Sequence, residues 1–147
     1  LKILIAIPAC HELIYGAWES RKSPLFDKKT AYLGQPYGED IHISGPNPRV
    51  QAVRDTWGSR LPAGVDLRFF YGVKDGVPPV TGADEVQLTC GADYEFLPQR
   101  VIDICKWAFE RDYDYLLKAD DDTYVWVDRV LEELKKPFDY AGYMGGA

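Results

Sequence analysis

The chain has 147 residues, 46% of them hydrophobic and 27% charged, enough for one domain with a substantial core. Its net charge of −6 excludes a general nucleic-acid binder, which would carry a basic stripe. An anionic small ligand would need locally placed arginines or a metal.

Residues 2–7, "KILIAI", form a continuous apolar run ended by Pro8, the pattern of a central strand covered on both faces. The same stretch is too short, and wrongly flanked, for a signal peptide or membrane span, so no transmembrane segment is expected. Residues 9–46 hold no sustained period and many breakers (Gly16, Pro24, Gly34, Pro36, Gly38, Gly45, Pro46), and read as a long irregular insertion. "NPRVQAVRDTWG" then predicts a short helix, with Asn47 as N-cap, Pro48 in the first turn and Gly58 just past the end. Val50, Val53 and Trp57 supply its apolar stripe.

Strands are predicted at 66–73 and 84–90. From Pro98 the period becomes helical, with Val101, Ile104, Cys105 and Ala108 on one face and Arg100, Asp103 and Lys106 polar. A strand at 113–119 delivers three aspartates. A helix follows through Val127, Val130, Leu131 and Leu134, with Glu132 and Lys136 as an i, i+4 pair, and 138–144 is a final strand. Strands alternating with helices indicate an α/β domain with a mostly parallel sheet flanked by helices. Cys10, Cys90 and Cys105 have no zinc-like spacing and read either as one disulfide with a free thiol or as three reduced thiols.

Asp120, Asp121 and Asp122 stand side by side in "LLKADDDTYV", and three adjacent like charges need a counter-charge. In open α/β sheets, ligands bind outside the carboxyl ends of the strands, where these aspartates fall. Carboxylates there suit Mg²⁺ or Mn²⁺, hard ions that share their shell with waters and a substrate diphosphate. If the segment is extended, Asp120 and Asp122 face one site and Asp121 turns aside. A calcium EF-hand loop does not fit, since no Gly stands at the sixth position and no Glu at the twelfth. An acidic triplet on a solvated loop is the bland alternative.

His11 and Glu12, after the first strand, are potential ligands or bases but more often loop polar groups, and His42 less still. Arg49 and Arg54 lie about 140° apart around a helix, so they do not form one clamp. A cation at Arg49, in a first helical turn, is disfavoured by the helix dipole, and an anionic partner would explain it.

"RVQAVRDTWG", "LRFFYGV" and "DYEFLPQRVIDICKWAFERDYDYLLKADDDTYV" together resemble the β-1,3-galactosyltransferase and Fringe-like glycosyltransferases, family 31. The match covers roughly residues 49–143, as an arginine-containing helix ending in Thr-Trp, an apolar strand, a Tyr/Leu helix with a Trp, and a Lys-x-Asp-Asp-Asp strand end. The resemblance implies a GT-A fold, a Rossmann-like nucleotide-binding domain spanning 1–147, whose Asp-x-Asp motif holds Mn²⁺ (or Mg²⁺) on the diphosphate of a UDP-sugar. Carried over by position, Asp122 is the direct metal ligand, with Asp120 near the ribose and metal, and Asp121 near the donor sugar. Pro8, Ala9 and Cys10 would line the uracil and ribose pocket. Arg49, Arg54 and Lys118 would face or support the donor. Trp57 and Trp107 are read as core.

The implied activity is transfer of a hexose from a UDP-sugar to a hydroxyl of a glycan, protein or small molecule, with inversion. Family domains continue beyond the aspartates, and their later part carries the base and much of the acceptor site. The expectation is therefore a short or truncated member lacking that half, with no catalytic base assigned; Asp128 and Asp139 are the nearest guesses. The alternatives are a nucleotide-sugar-binding domain without turnover and an Mg²⁺-dependent phosphoryl-transfer enzyme. A cytosolic microbial or viral setting is favoured slightly over the Golgi lumen of an excised anchored enzyme.

Overall fold

The computed structural model describes residues 1–11, 13–15, 41–43 and 47–142. Its centre is a four-stranded, wholly parallel sheet in the order β5-β4-β1-β6, formed by β1 (Ile3–Pro8), β4 (Val65–Val73), β5 (Glu85–Gly91) and β6 (Tyr115–Lys118). β1 pairs with strands on both sides, Ile3 standing opposite Val65 and Tyr115. This double pairing explains why its sequence is apolar without alternation: every residue from Ile3 to Pro8 is buried.

The two faces of β1 feed two cores. Ile3, Ile5 and Ile7 join Val65, Leu67 and Phe69, and helix α1 (Pro48–Asp55) covers them with Val50 and Val53. Val127, Val130, Leu131 and Leu134 of helix α3 (Val127–Glu133) and the turn after it pack on the same side. Leu4, Ala6, Phe70 and Leu88 face the other way, under Ile104 and Ala108 of helix α2 (Leu97–Phe109). Trp57 is buried in the first core, and Trp107 packs edge-on to Phe70 in the second, both as structural residues. The fold class, α/β with a parallel sheet, is as expected.

Several local expectations are corrected. Part of the 9–46 insertion is regular: β2 (Leu13–Tyr15) and β3 (Ile41–Ile43) pair antiparallel, with His42 opposite Ile14. The breakers from Gly16 to Pro46 and Glu12 lie outside the described residues. Gly58 does not follow a left-handed helix end. It lies inside a 3₁₀ turn, Trp57–Arg60, where a Cβ would stand 2.7 Å from the Val53 carbonyl oxygen; close packing demands the glycine.

Of the predicted strand at 138–144, residues 138–142 are irregular and the rest lies outside the described residues. Phe138 sets its ring against Tyr115, while Tyr140 is 92% exposed, so the alternation never becomes a buried face. Lys136 pairs with Glu133 and Lys135 with Glu132, because the helix ends at Glu133 and brings i, i+3 partners together. On α2 the buried stripe is Arg100, Ile104 and Ala108, and Cys105 is exposed: the helix is rotated so that the 100/104/108 row faces the sheet. All three cysteines are free. Among the described residues, no helix is long and apolar enough to cross a membrane.

Candidate functional site

The strand order sets the place. β4 and β5 lie to one side of β1 and β6 to the other, and crevices outside the carboxyl ends at such a reversal are where open parallel sheets bind ligands. The two ends are adjacent here, the Ala119 amide donating to the Ala6 carbonyl at 3.1 Å. β1 presents Pro8, Ala9 and Cys10 there, the first two buried and Cys10 exposed. β6 presents Lys118 and the aspartates.

Asn47 ties these ends to α1. Its Oδ1 accepts from the Arg49 amide as the predicted helix cap. Its Nδ2 donates to the Cys10 carbonyl at 3.0 Å and to Asp121 Oδ2 at 3.1 Å. One buried amide thus spans three segments, a role beyond the cap that the sequence suggested. Asn47→Ala is expected to cost about 2 kcal/mol, the upper end for a cap, because Asp121 and the Cys10 carbonyl lose a donor as well. Urea denaturation of the two proteins measures this.

The aspartates are not extended. The Thr123 amide donates to the Asp120 carbonyl at 3.0 Å, closing a turn through Asp121 and Asp122, so strand alternation does not apply. Asp121 is the inward residue, its side chain only 10% exposed, and Asp120 and Asp122 are 64% and 60% exposed. This reverses the expected facing. Arg49 Nη1 lies 3.3 Å from Asp121 Oδ1 and 3.7 Å from Asp122 Oδ2, and Lys118 Nζ lies 2.7 Å from Asp120. The protein's own cations therefore provide counter-charge to the triplet, and the carboxylates explain a cation in the first turn of α1.

Arg54, as expected, does not share a clamp with Arg49. Its guanidinium makes a fork with Asp84 at 2.8 and 2.8 Å, adds Glu85 at 2.9 Å, and lies over the Phe69 ring. The hydrogen bond to Asp84 leads in raising the Arg54 pKa, and the same bond leads in lowering that of Asp84. A carboxyl depressed in the folded state adds stability above its unfolded value of about 3.9, lost as pH falls through the folded value. The stability gap between wild type and Asp84→Asn is thus expected to hold constant at neutral pH and to narrow below about pH 4. Denaturation midpoints from pH 7 to pH 2.5 check it.

A pocket of about 150 Å³ lies beside this network, lined by Cys10, His11, Asn47, Arg54, Tyr71 and Glu85 among others. It is smaller than the several hundred Å³ of most ligand pockets, so a nucleotide-sugar would extend beyond it along the carboxyl edge. His11 Nε2 donates to the Gly72 carbonyl at 2.8 Å, which fixes the proton on that nitrogen, and its ring leans on Tyr71. Gly72 allows this edge to close, since a Cβ there would stand 2.3 Å from the Gly91 carbonyl oxygen. Burial, followed by Glu85, pushes the Tyr71 hydroxyl up to about 12, so it stays neutral at physiological pH. Although Cys10 keeps an exposed surface, the protein packed around it desolvates the thiol and pushes it up, Asp121 adds to this, and Arg100 and Arg49 pull it down.

Comparison of the chain with protein-family models, curated proteins and solved structures returns no match. The site is therefore judged on its donor chemistry. Three carboxylates within one turn are the hard oxygen ligands a divalent ion prefers, and Mg²⁺-type sites need only one or two of them with water and phosphate. Among the described residues, no group of three or more His, Cys, Asp or Glu is gathered tightly enough to hold a metal by itself. Asp122, 60% exposed and only loosely paired with Arg49 at 3.7 Å, and Asp120, 64% exposed beside Lys118, are the carboxylates open to an ion, while Asp121 is held inward.

The sequence reading did not single out Asp84, Glu85, Tyr71 or Arg100. The spacing of Arg100 to Ile104 and Ala108, four and eight residues on, was the one signal that could have found the last.

Proposed function

We propose that the chain is a metal-dependent glycosyltransferase domain, akin to the β-1,3-galactosyltransferase and Fringe-like enzymes, that transfers a hexose from a UDP-sugar to an acceptor hydroxyl with inversion. The observation that carries this reading is the acidic turn at the carboxyl end of β6, beside the end of β1 where the strand order reverses. The order of motifs in the sequence supports it further.

Asp122, with Asp120, would hold Mn²⁺ or Mg²⁺. When bound, that ion supplies a Lewis acid for the negative charge of a departing diphosphate. Asp121 does different work: through Asn47 and Arg49 it fixes the β6 end against α1. Pro8, Ala9 and Cys10 provide the β1 wall for the nucleoside, with the pocket at Cys10 as its start. Arg54 shapes that pocket through Asp84 and Glu85.

The test is release of UDP from a panel of UDP-hexoses with Mn²⁺, in the presence and absence of simple glycoside acceptors. Acceptor-stimulated release with an inverted product is the expected result. A nucleotide-sugar-binding domain without turnover is the second reading, favoured because Arg49 already provides counter-charge to Asp121 and Asp122. It expects UDP binding with no release from any donor.

A further inference from the structure

Arg100 is 3% exposed, yet it has no carboxylate partner among the described residues. Among the described residues its Nε has no hydrogen-bond partner, Nη2 makes a long contact of 3.5 Å with the Asp93 carbonyl, and the guanidinium's other partner is the neutral Cys10 side chain. A buried guanidinium left this way is strongly destabilising unless something compensates it. Arg49 and Arg54 are different, each held by two carboxylates.

Position suggests what the compensation is. Ile104, one turn later on α2, packs with Leu4 and Ala6 of β1. Because α2 runs back along the sheet, Arg100 stands at the carboxyl edge, beside the β1 end. The N-terminus of α2 has no side-chain cap and no acidic residue in its first turn, which favours an anion there, with Glu95 in the 3₁₀ turn before it as the nearest carboxylate in sequence.

We propose that Arg100 is the anion anchor of this site, its guanidinium taking a phosphate oxygen of the ligand next to Cys10 at the carboxyl end of β1. The ligand class is a phosphate ester or pyrophosphate. The proposal rests on the reading above only in naming the diphosphate of a nucleotide as the natural source. An anion there would satisfy the orphaned Nε and neutralise the buried charge, so Arg100 would add affinity that Arg49 and Arg54, occupied by their carboxylates, do not.

The test is calorimetric titration of inorganic pyrophosphate in EDTA, and of UDP and uridine with Mn²⁺, into wild type, Arg100→Met and Arg100→Lys. Loss of a charge-assisted hydrogen bond predicts that Arg100→Met weakens pyrophosphate and UDP roughly ten- to hundredfold. Uridine should be unaffected, Arg100→Lys should recover part of the loss, and the melting temperature of Arg100→Met should be no lower than that of wild type. Pyrophosphate should also slow alkylation of Cys10, mapped by mass, and leave the exposed Cys105 unchanged; this arm uses wild type alone.

Pyrophosphate binding lost in Arg100→Met, with UDP bound by neither protein, would uphold the anchor and overturn the UDP-sugar reading. Equal UDP affinity in wild type and Arg100→Met would overturn the anchor and leave that reading standing. No pyrophosphate binding by wild type, or no protection of Cys10, would also overturn the anchor.

Discussion

Replacing Asp122 with alanine is expected to reduce Mn²⁺-dependent UDP affinity by at least about a hundredfold, while leaving thermal stability nearly unchanged. The magnitude follows from comparison with residues that merely orient metal ligands, whose loss already costs about 10- to 100-fold. The unchanged stability follows from exposure: the Asp122 carboxylate is 60% exposed and lies 3.7 Å from Arg49, a loose surface pair. Asp121→Asn should behave oppositely. That side chain is 10% exposed and bonded to Asn47 and Arg49, so its substitution should lower the melting temperature and affect UDP affinity less. A matched pair of calorimetric and thermal measurements separates the two roles. Equal effects of the two substitutions on affinity and stability would mean that the turn acts only as a structural cluster.

Phe70→Ala is expected to cost about 3–5 kcal/mol, the range for deleting a large aromatic from a packed core. Phe70 is fully buried, lies among Leu4, Leu88 and Ile104, and meets Trp107 edge-on at 5.3 Å. Against a total stability of about 5–15 kcal/mol for a domain of this kind, that loss leaves the sheet marginal. Its carbonyl also receives the Ala9 amide at 2.8 Å, so the β1 end of the candidate site should loosen with the core. Urea denaturation reads the stability change, and a cost below about 1 kcal/mol would contradict the assigned packing.

What could be read from the residues was whatever depends on one segment's own pattern. The unbroken apolar run of β1 announced a strand buried on both faces, and Asn47-Pro48 announced the start of α1 with the cap that is present. The position of the aspartates after an apolar strand was legible for the same reason. Relations between segments were not. The turn closed by Thr123 turns Asp121 inward, and nothing in "ADDDT" distinguishes that from an extended end. The fork between Arg54 and Asp84 joins residues thirty apart, brought together by the packing of α1 on β4 and the parallel pairing of β4 with β5. The sequence pattern puts Arg100 on the polar face of its helix, because charge is a strong signal of exposure. The row through Ile104 and Ala108 overrode that signal.

The most direct test of the central claim is isothermal titration of UDP into the wild-type chain, once with Mn²⁺ and once with EDTA. Saturable binding that appears only with the metal is the predicted result, and it would place a divalent ion and a nucleotide diphosphate together on this protein. Absence of UDP binding in both conditions, from protein shown to be folded, would contradict the account and leave Asp120, Asp121 and Asp122 as a structural turn partly balanced by Arg49 and Lys118.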